Sequence, residues 1–529
     1  MLDAAVDSWL ENLENERALD EPLRALLRAS GFHDIRLVHG PTELGRDFIA
    51  KRRHPEGVRQ YAIQSKLGDL NLGAFRDVRN QLEDIRTTEY PDADFDNSLP
   101  RVAVLATTGE IKGPARTEAS GYQEYVARDD GRSVEYWERG RLIDDLVASP
   151  GSVLAGRDAG PLLRILGLVD SDEIDERELT RFSRRWIPGE GQTMPPAAVI
   201  EAALIAESLV HQDRIDLACA ISLALLRAPL VGAHRHDDND DTWASPAQAS
   251  GLFIVYAEQL WTRCQADERI QDPIALANQG GAGVFATYPV RCLKVIELLG
   301  LLGLHRRAHG EDAGEVQSYL EDFLTRHPGA AHPISDRYAV SLVPPACLLG
   351  QARVTVLEPW LRATAVWVLD HYQTGTGLGN VEASPAAEIE YLLSAFEHID
   401  PPPHRTSYLA TVILDLICAL ELSTIYPDAV GDFAVFAPPE LLHIPATRAQ
   451  YLEDGDEIRQ EAGVAYHDAW APKDGWKNAT HHDHVEPSWL EANGRAWEKL
   501  AVASVTRDRH DIGLIRRTVL HPSQTGAGD

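Results

Sequence analysis

Residues 43–66 read ELGRDFIAKRRHPEGVRQYAIQSK, and their pattern decides how the first part of the chain folds. Asp47 opens a strand. His54-Pro55-Glu56-Gly57 has the composition of a turn, because proline fixes φ and glycine admits positive φ. Gln60 to Lys66 returns as a second strand, and period-two alternation puts Tyr61 and Ile63 on one face and Ala62, Gln64 and Lys66 on the other. The hairpin therefore carries the Asp47 carboxylate towards the Gln64 amide and the Lys66 ammonium. A carboxylate and an amide oxygen are hard ligands suited to Mg²⁺, and a lysine beside them can orient a water or steady a phosphate. That combination suits metal-assisted phosphodiester cleavage.

The flanking segments extend the pattern. Residues 3–29 are helical, with a second helix predicted to begin near Asp20 because Pro22 is tolerated only in a first turn. Gly31 ends it. Ile35 to Val38 reads as a short strand, Leu72 to Ile85 as a helix striped by Phe75, Val78, Leu82 and Ile85, and Val102 to Ala106 as an apolar strand. A helix over Pro114–Ala127, a strand over Ser133–Trp137 and a helix starting near Gly140 complete the order α-β-β-β-α-β-α-β-α. The fold class this implies is α+β, a mixed sheet flanked by helices, followed by a large all-α region.

With these segments in order, the chain resembles the PD-(D/E)xK nuclease superfamily, in particular the Mrr-like restriction endonuclease domain in its D…QxK form. The hairpin carries the D…QxK residues. VAVLATTGEIKGPARTEA (residues 102–119) resembles the Thr-Thr-Gly strand and following helix, and VEYWERGRLIDDL (residues 134–146) the closing strand and Leu-rich helix. The resemblance covers about 140 residues and implies a restriction-endonuclease-like domain over 1–155. It implies that Asp47 and Gln64 bind Mg²⁺ and that Lys66 stabilises the attacking hydroxide or the phosphate. Glu43 is a candidate for a second metal or its water. Glu21 is a candidate for an acidic contact from the first core helix, although an acid at a helix start also suits the helix dipole. Two departures stand out: the turn before the acid reads Leu-Gly-Arg-Asp rather than a Gly-Gly-rich form, and Gln64 replaces the second acid.

The net charge of −31 argues against a general nucleic-acid binder. Only seven of the 50 basic residues are lysine, which suits either a salt-rich cytoplasm or a high-GC genome. Residues 51–86 reverse the trend, with eight basic side chains against five acids. Arg46, Lys51, Arg52, Arg53, Arg76 and Arg79, around the hairpin, are the candidate phosphate contacts. The five cysteines are scattered through apolar runs without metal-ligand spacing and read as small core residues. No secretory leader and no membrane-length apolar run is evident, so a cytoplasmic location is expected.

The acidic stretch Asp170–Glu178 and Pro188-Gly189-Glu190-Gly191 suggest a linker over 156–192. Beyond it, helical spacing runs through about 197–227, 246–267, 286–304, 312–326, 336–371, 386–398, 406–423, 446–463 and 487–505, an all-α region (193–529) of one or two subdomains without a repeat period. Gly375-Thr376-Gly377-Leu378-Gly379 lacks the lysine of a phosphate-binding loop and reads as a connection. His234–Asp241 and His481–His484 read as solvated loops. Trp360 and Trp367, seven apart, suit one packed helix face. The resemblance implies an Mg-dependent endonuclease acting on DNA, used in defence against foreign DNA. Its helical region would regulate or recruit, and homodimers or a protein partner would allow both strands to be cut. The alternatives are a catalytically silent nucleic-acid-binding or scaffold subunit, and a nuclease acting on RNA.

Overall fold

The structure, a computed structural model, describes residues 2–11, 13, 15–38, 45–90, 95–128, 132–187, 194–195, 197–236, 247–278, 284–374, 377–379, 406–437, 440–442, 460–462, 496–507, 515 and 518–519. The chain divides into two compact units, Met1–Glu173 with Pro195–Ser208, and Ile174–Met194 with Leu209–Asp529.

The first unit follows the predicted element order. Helix α1 (Leu2–Glu11), a short 3₁₀ turn (Glu16–Leu19) and α2 (Asp20–Ala29) lead into β1 (Phe32–Leu37). A long hairpin, β2 (Phe48–His54) and β3 (Gly57–Lys66), is followed by α3 (Leu72–Thr87), β4 (Arg101–Thr107), α4 (Pro114–Val126), β5 (Arg132–Trp137) and α5 (Arg139–Ala148). The five strands form one sheet in sequence order. β1, β2 and β3 are antiparallel, whereas β3, β4 and β5 are parallel, which makes the sheet mixed. β1 begins earlier than Ile35. A register shift between His33 and Arg36, with Asp34 at φ +51, lets the strand resume its pairing after an irregular step.

Both faces of the sheet are covered, which explains why β3 and β4 are nearly continuous apolar runs. Ile49, Ala62, Ala103 and Leu105 pack with Phe75, Val78, Leu82 and Ile85 of α3 and with Ala115 and Ala119 of α4. The residues of opposite parity, Phe48, Tyr61, Ile63, Val102 and Val104, are equally buried. α2 packs on β1, and the Glu16–Leu19 turn packs on β3. This last contact is the one that shapes the site.

Residues 156–192, expected as a linker, hold two helices, α6 (Gly160–Asp170) and α7 (Glu176–Ser183). The acids there have structural roles. Asp175 caps α7 by accepting from the Glu178 N–H at 2.9 Å, and Asp172 takes the positive φ (+57) that ends α6.

The second unit is largely helical. After α8 (Ala197–His211), which contributes residues to both units, come α9 (Ile215–His236), α10 (Ala247–Ala266), α11 (Glu268–Gln271), α12 (Pro273–Asn278), α13 (Val284–Ala308) and α14 (Gly314–Arg326). The helix expected over 336–371 is broken. Two 3₁₀ turns lead to α15 (Val343–Leu349), and a bend of 90° at Gly350 (φ +58) precedes α16 (Val354–Gln373). Trp360 and Trp367 of α16 donate to Ala330 O at 2.9 Å and Pro333 O at 2.8 Å. Helices α17 (Tyr408–Ala419), α18 (Tyr426–Phe436) and α19 (Ala496–Thr506) follow. Part of the expected helix over 446–463 is instead a strand. β7 (Gln460–Ala462) pairs with β6 (Glu440–Leu442), and that pairing satisfies the backbone groups a helix would have satisfied internally. The expected helix over 386–398 lies outside the described residues. All five cysteines are buried free thiols. Among the described residues, no single helix is long and apolar enough to cross a membrane.

Candidate active site

The site is built where β2 enters the sheet and β3 leaves it. Asp47 stands one residue before β2. Its N–H donates to Ile63 O at 2.8 Å and its carbonyl accepts from Val38 N–H at 2.8 Å, so its backbone is tied to both neighbouring strands. Its carboxylate then continues the pairing beyond the last backbone bond. Asp47 Oδ2 accepts from the Ser65 N–H (2.6 Å), from Ser65 Oγ (2.8 Å) and from Gln64 Nε2 (2.8 Å). Burial pushes the Asp47 carboxyl up from its usual range. The two Ser65 hydrogen bonds and the Lys66 charge pull it down, and the charge of Glu16 pushes it up again.

Gly45 sets this entry. Its φ is +77, and a Cβ there would sit 2.9 Å from Gln81 Cβ, so the turn before the acid needs glycine on both counts. The Leu-Gly-Arg-Asp form keeps the one glycine that the backbone requires.

Lys66 closes the arrangement. Its Nζ lies 3.2 Å from Glu16 Oε1 and 3.3 Å from Oε2, in the 3₁₀ turn that Asn15 caps. The backbone just after Lys66 is clamped by the Thr-Thr-Gly stretch. Thr108 N–H donates to Lys66 O (3.1 Å), Gly68 N–H to Thr108 Oγ1 (2.9 Å), and Thr107 Oγ1 to Gly68 O (2.8 Å). A Cβ on Gly109 would come within 2.2 Å of the Gly68 carbonyl carbon, which explains the glycine. The threonines and glycine thus fix the strand end that presents the lysine.

The structure brings Asp47, Gln64 and Lys66 together and adds Glu16, which the sequence reading missed. Glu21, the acid expected from the first helix, lies one turn further on, 2.5 Å from its own helix's Arg24, with its Cβ and Cγ against Gly156. Glu43 lies outside the described residues.

The donor set limits how Mg²⁺ could be held. Among the described residues no group of three or more His, Cys, Asp or Glu side chains converges as metal ligands, so any metal here rests on Asp47, the Gln64 amide and water. Mg²⁺ tolerates this, because it is commonly held by one or two carboxylates and keeps several waters. Asp47 Oδ1 is left over after Oδ2 has taken its three donors. Gln64 turns its amide nitrogen towards Asp47 and the Ser65 carbonyl, so oxygen ligation by both would require the amide to turn over, exchanging two hydrogen bonds for a metal–oxygen contact. The residues fit the ion on those terms.

The expected phosphate contacts fare differently. Arg46 is wholly buried. Its guanidinium donates to Ile85 O (3.2 Å) and Thr88 O (3.1 Å) at the end of α3 and lies 4.9 Å from the centre of the Tyr90 ring. Burial pulls its pKa down to about 10. It is a cap for α3 carbonyls and is closed off from any surface ligand. Lys51 pairs with Asp34 at 3.3 Å, and Arg52 lies over the Phe32 ring. Arg76 and Arg79 both hold Glu118, at 3.0 and 2.7 Å. Arg53 remains exposed. The local excess of basic residues is therefore largely taken up by neighbouring acids, carbonyls and rings.

The weaker motifs are structural or undescribed. Gly377–Gly379 is pinned by a bridge between Ser335 and Gly379, and the Asp336 N–H donates to Gly379 O at 2.7 Å. The acidic stretch beyond His236 and the histidines at 481–484 lie outside the described residues. Comparison with protein-family models, with curated proteins and with solved structures finds no match to this chain.

Proposed function

We propose that the first unit is a metal-dependent nuclease that hydrolyses DNA phosphodiester bonds, with Asp47, Gln64 and Lys66 as its reacting centre. The resemblance to Mrr-like endonucleases suggests the reading. The observation that carries it is the convergence of these three side chains at one strand end, with Glu16 closing on Lys66. Mg²⁺, when bound, would polarise the phosphate and lower the pKa of a bound water. Asp47 and Gln64 would hold it. Lys66 would carry the positive charge that steadies the phosphate oxygens as negative charge builds on them, and the Thr107–Gly109 clamp would keep that ammonium from drifting. Ser65 would hold Asp47 in its rotamer. The helical unit would regulate the centre or recruit a partner in defence against foreign DNA.

A second reading is a catalytically silent scaffold or binding subunit. It is favoured by one observation, the pairing of most of the candidate phosphate contacts with neighbouring groups. One experiment separates the two. The full chain and its Lys66→Ala variant are incubated with plasmid, single-stranded DNA and RNA at varied Mg²⁺ and KCl. Mg²⁺-dependent cutting of DNA by the wild type that the variant loses supports the proposal. Cutting confined to RNA moves the substrate, and intact substrates throughout leave the scaffold reading.

A further inference from the structure

Far along the chain from the hairpin, the helical unit buries a cluster of unbalanced charge. Arg507, directly after α19, donates to Glu297 Oε2 on α13 at 2.8 Å, to Ser341 Oγ at 3.2 Å, and reaches both oxygens of Glu176 on α7 at 3.4 and 3.5 Å. Lys294 pairs with Glu176 and lies 3.6 Å from Glu297. Arg337 reaches Glu176 at 3.5 Å, and Ser341 Oγ donates to Glu297 at 2.6 Å. Three cations thus surround two carboxylates. Glu297 is wholly buried, and the side chains of Lys294 and Arg507 are 10% and 4% exposed. Among the described residues the cluster carries one more positive charge than negative, and two of its three cations are arginines, which do not shed their protons.

A cavity of about 10 Å³ lies against the cluster, bordered by Lys294, Arg337, Arg507, Glu176, Thr180 and Ser504. That volume is the room open to the centre of a water-sized occupant, so one water or one monoatomic ion can sit there. Ser504 of α19 is 3% exposed, and among the described residues its Oγ has no hydrogen-bond partner, so a buried donor borders the space unused. Buried hydroxyls rarely stay unpartnered. A water would answer the hydroxyl but not the charge. Polyatomic anions such as phosphate are too large for the space. Among the described residues bordering the cavity, the carboxylate is Glu176, and all three cations meet it.

We propose that this cavity binds one monoatomic anion, chloride in ordinary salt, which accepts from Ser504 Oγ, balances the surplus charge and ties α19 to α7 and α13. Because the ion binds only the folded unit, it stabilises by mass action. The test compares thermal unfolding of the full chain in KCl and in potassium gluconate at matched ionic strength. The melting temperature is expected to climb with chloride, by roughly 5 °C over a hundred-fold range above the dissociation constant, and to stay flat in gluconate. Ser504→Ala is expected to lose most of that chloride response. Crystals of the full chain soaked in bromide are expected to give an anomalous peak in the cavity. Equal melting in the two salts, an undiminished response in Ser504→Ala, or no bromide peak beside Ser504 overturns the proposal and leaves a water in the space.

Discussion

Lys66 Nζ is held 3.2 Å from the Glu16 carboxylate, across 50 residues of sequence. The contact joins the end of β3 to the turn before α2, and no other carboxylate among the described residues is bonded to that ammonium. A flexible four-carbon side chain at a strand end samples many rotamers unless something holds it. Glu16→Gln keeps the shape and removes the charge. On the nuclease reading, the cleavage rate of the variant should fall roughly ten-fold, the size of effect seen when an orienting partner is lost, with the Mg²⁺ concentration for half-activity little changed. A rate equal to the wild type would show that Lys66 needs no such partner.

Asp47 links the chemistry to stability through its raised pKa, whose largest cause is burial. A carboxyl raised on folding favours the protonated folded form. The metal-free protein should therefore gain stability as pH falls through that raised value, and ionised Asp47 costs stability at neutral pH. On the nuclease reading activity should run the other way, because the carboxylate is the form that would bind a cation. The acid limb of Mg²⁺-dependent cleavage should lie above the ordinary aspartate pKa of about 3.9. Asp47→Asn, which can still accept the three hydrogen bonds, should melt higher than the wild type at pH 7 without metal and lose both cleavage and any rise in melting temperature with Mg²⁺. If Asp47→Asn instead melts below the wild type, the carboxylate stabilises the fold.

Ser65 supplies two of the three bonds to Asp47 Oδ2. Ser65→Ala removes the hydroxyl and leaves the N–H. It should cost about 1–3 kcal/mol, as for a hydrogen bond to a charged group. It should also shift the acid limb of cleavage to higher pH, because a group that lowers the Asp47 pKa is gone. Denaturant unfolding and a pH–rate profile read the two effects separately.

Why the sequence reveals some of this and not the rest follows from ranges of interaction. The hairpin is readable because alternation, Pro55 and Gly57 are local signals, and the order of elements around it follows from helical stripes such as Phe75, Val78, Leu82 and Ile85. Glu16 is not, because its role depends on a turn packing against β3, a contact that no local pattern carries. The available clue is Asn15, whose side chain accepts from the Ala18 N–H and starts a turn ahead of the helix that begins at Asp20. Arg46 misleads for a similar reason. Beside a basic run it looks like a phosphate contact, and only its distant partners Ile85 and Thr88 reveal a cap. Glu176 and Asp175 make 156–192 look like a linker, since an acid bound to a lysine far along the chain is indistinguishable in sequence from an acid in solvent.

Arg46 supplies its own test. With its guanidinium buried against the carbonyls at the end of α3, Arg46→Met should destabilise the first unit by about 3 kcal/mol, because several backbone acceptors lose their donor. The salt dependence of DNA binding by the folded variant should match the wild type. Exposed Arg53 is the contrast: Arg53→Ala should leave melting within about 0.5 kcal/mol of the wild type and, if that residue meets a phosphate, lower the salt slope by about one. A changed slope in Arg46→Met would return that residue to the binding surface.

Glu297 should govern the acid stability of the helical unit. Burial pushes its carboxyl up, but the charges of Arg507 and Lys294 outweigh burial and hold it below the usual carboxylate range. Burial acts on Glu176 in the same sense, and there Lys294, Arg507 and Arg337 outweigh it and draw the carboxyl down. A carboxyl depressed on folding contributes stability above its unfolded pKa and loses it as pH falls through the folded value. The urea midpoint of helix loss should therefore hold steady near neutral pH and drop as pH falls below about 4.3, the unfolded glutamate value. Arg507→Met leaves Glu297 without its closest cation and should cost about 3–5 kcal/mol, the penalty for breaking a buried pair from one side. The same substitution should shrink the acid-dependent loss, because Glu297 then titrates nearer its unfolded value. If the midpoint of the variant falls with acid as steeply as that of the wild type, the acid dependence arises at other carboxylates.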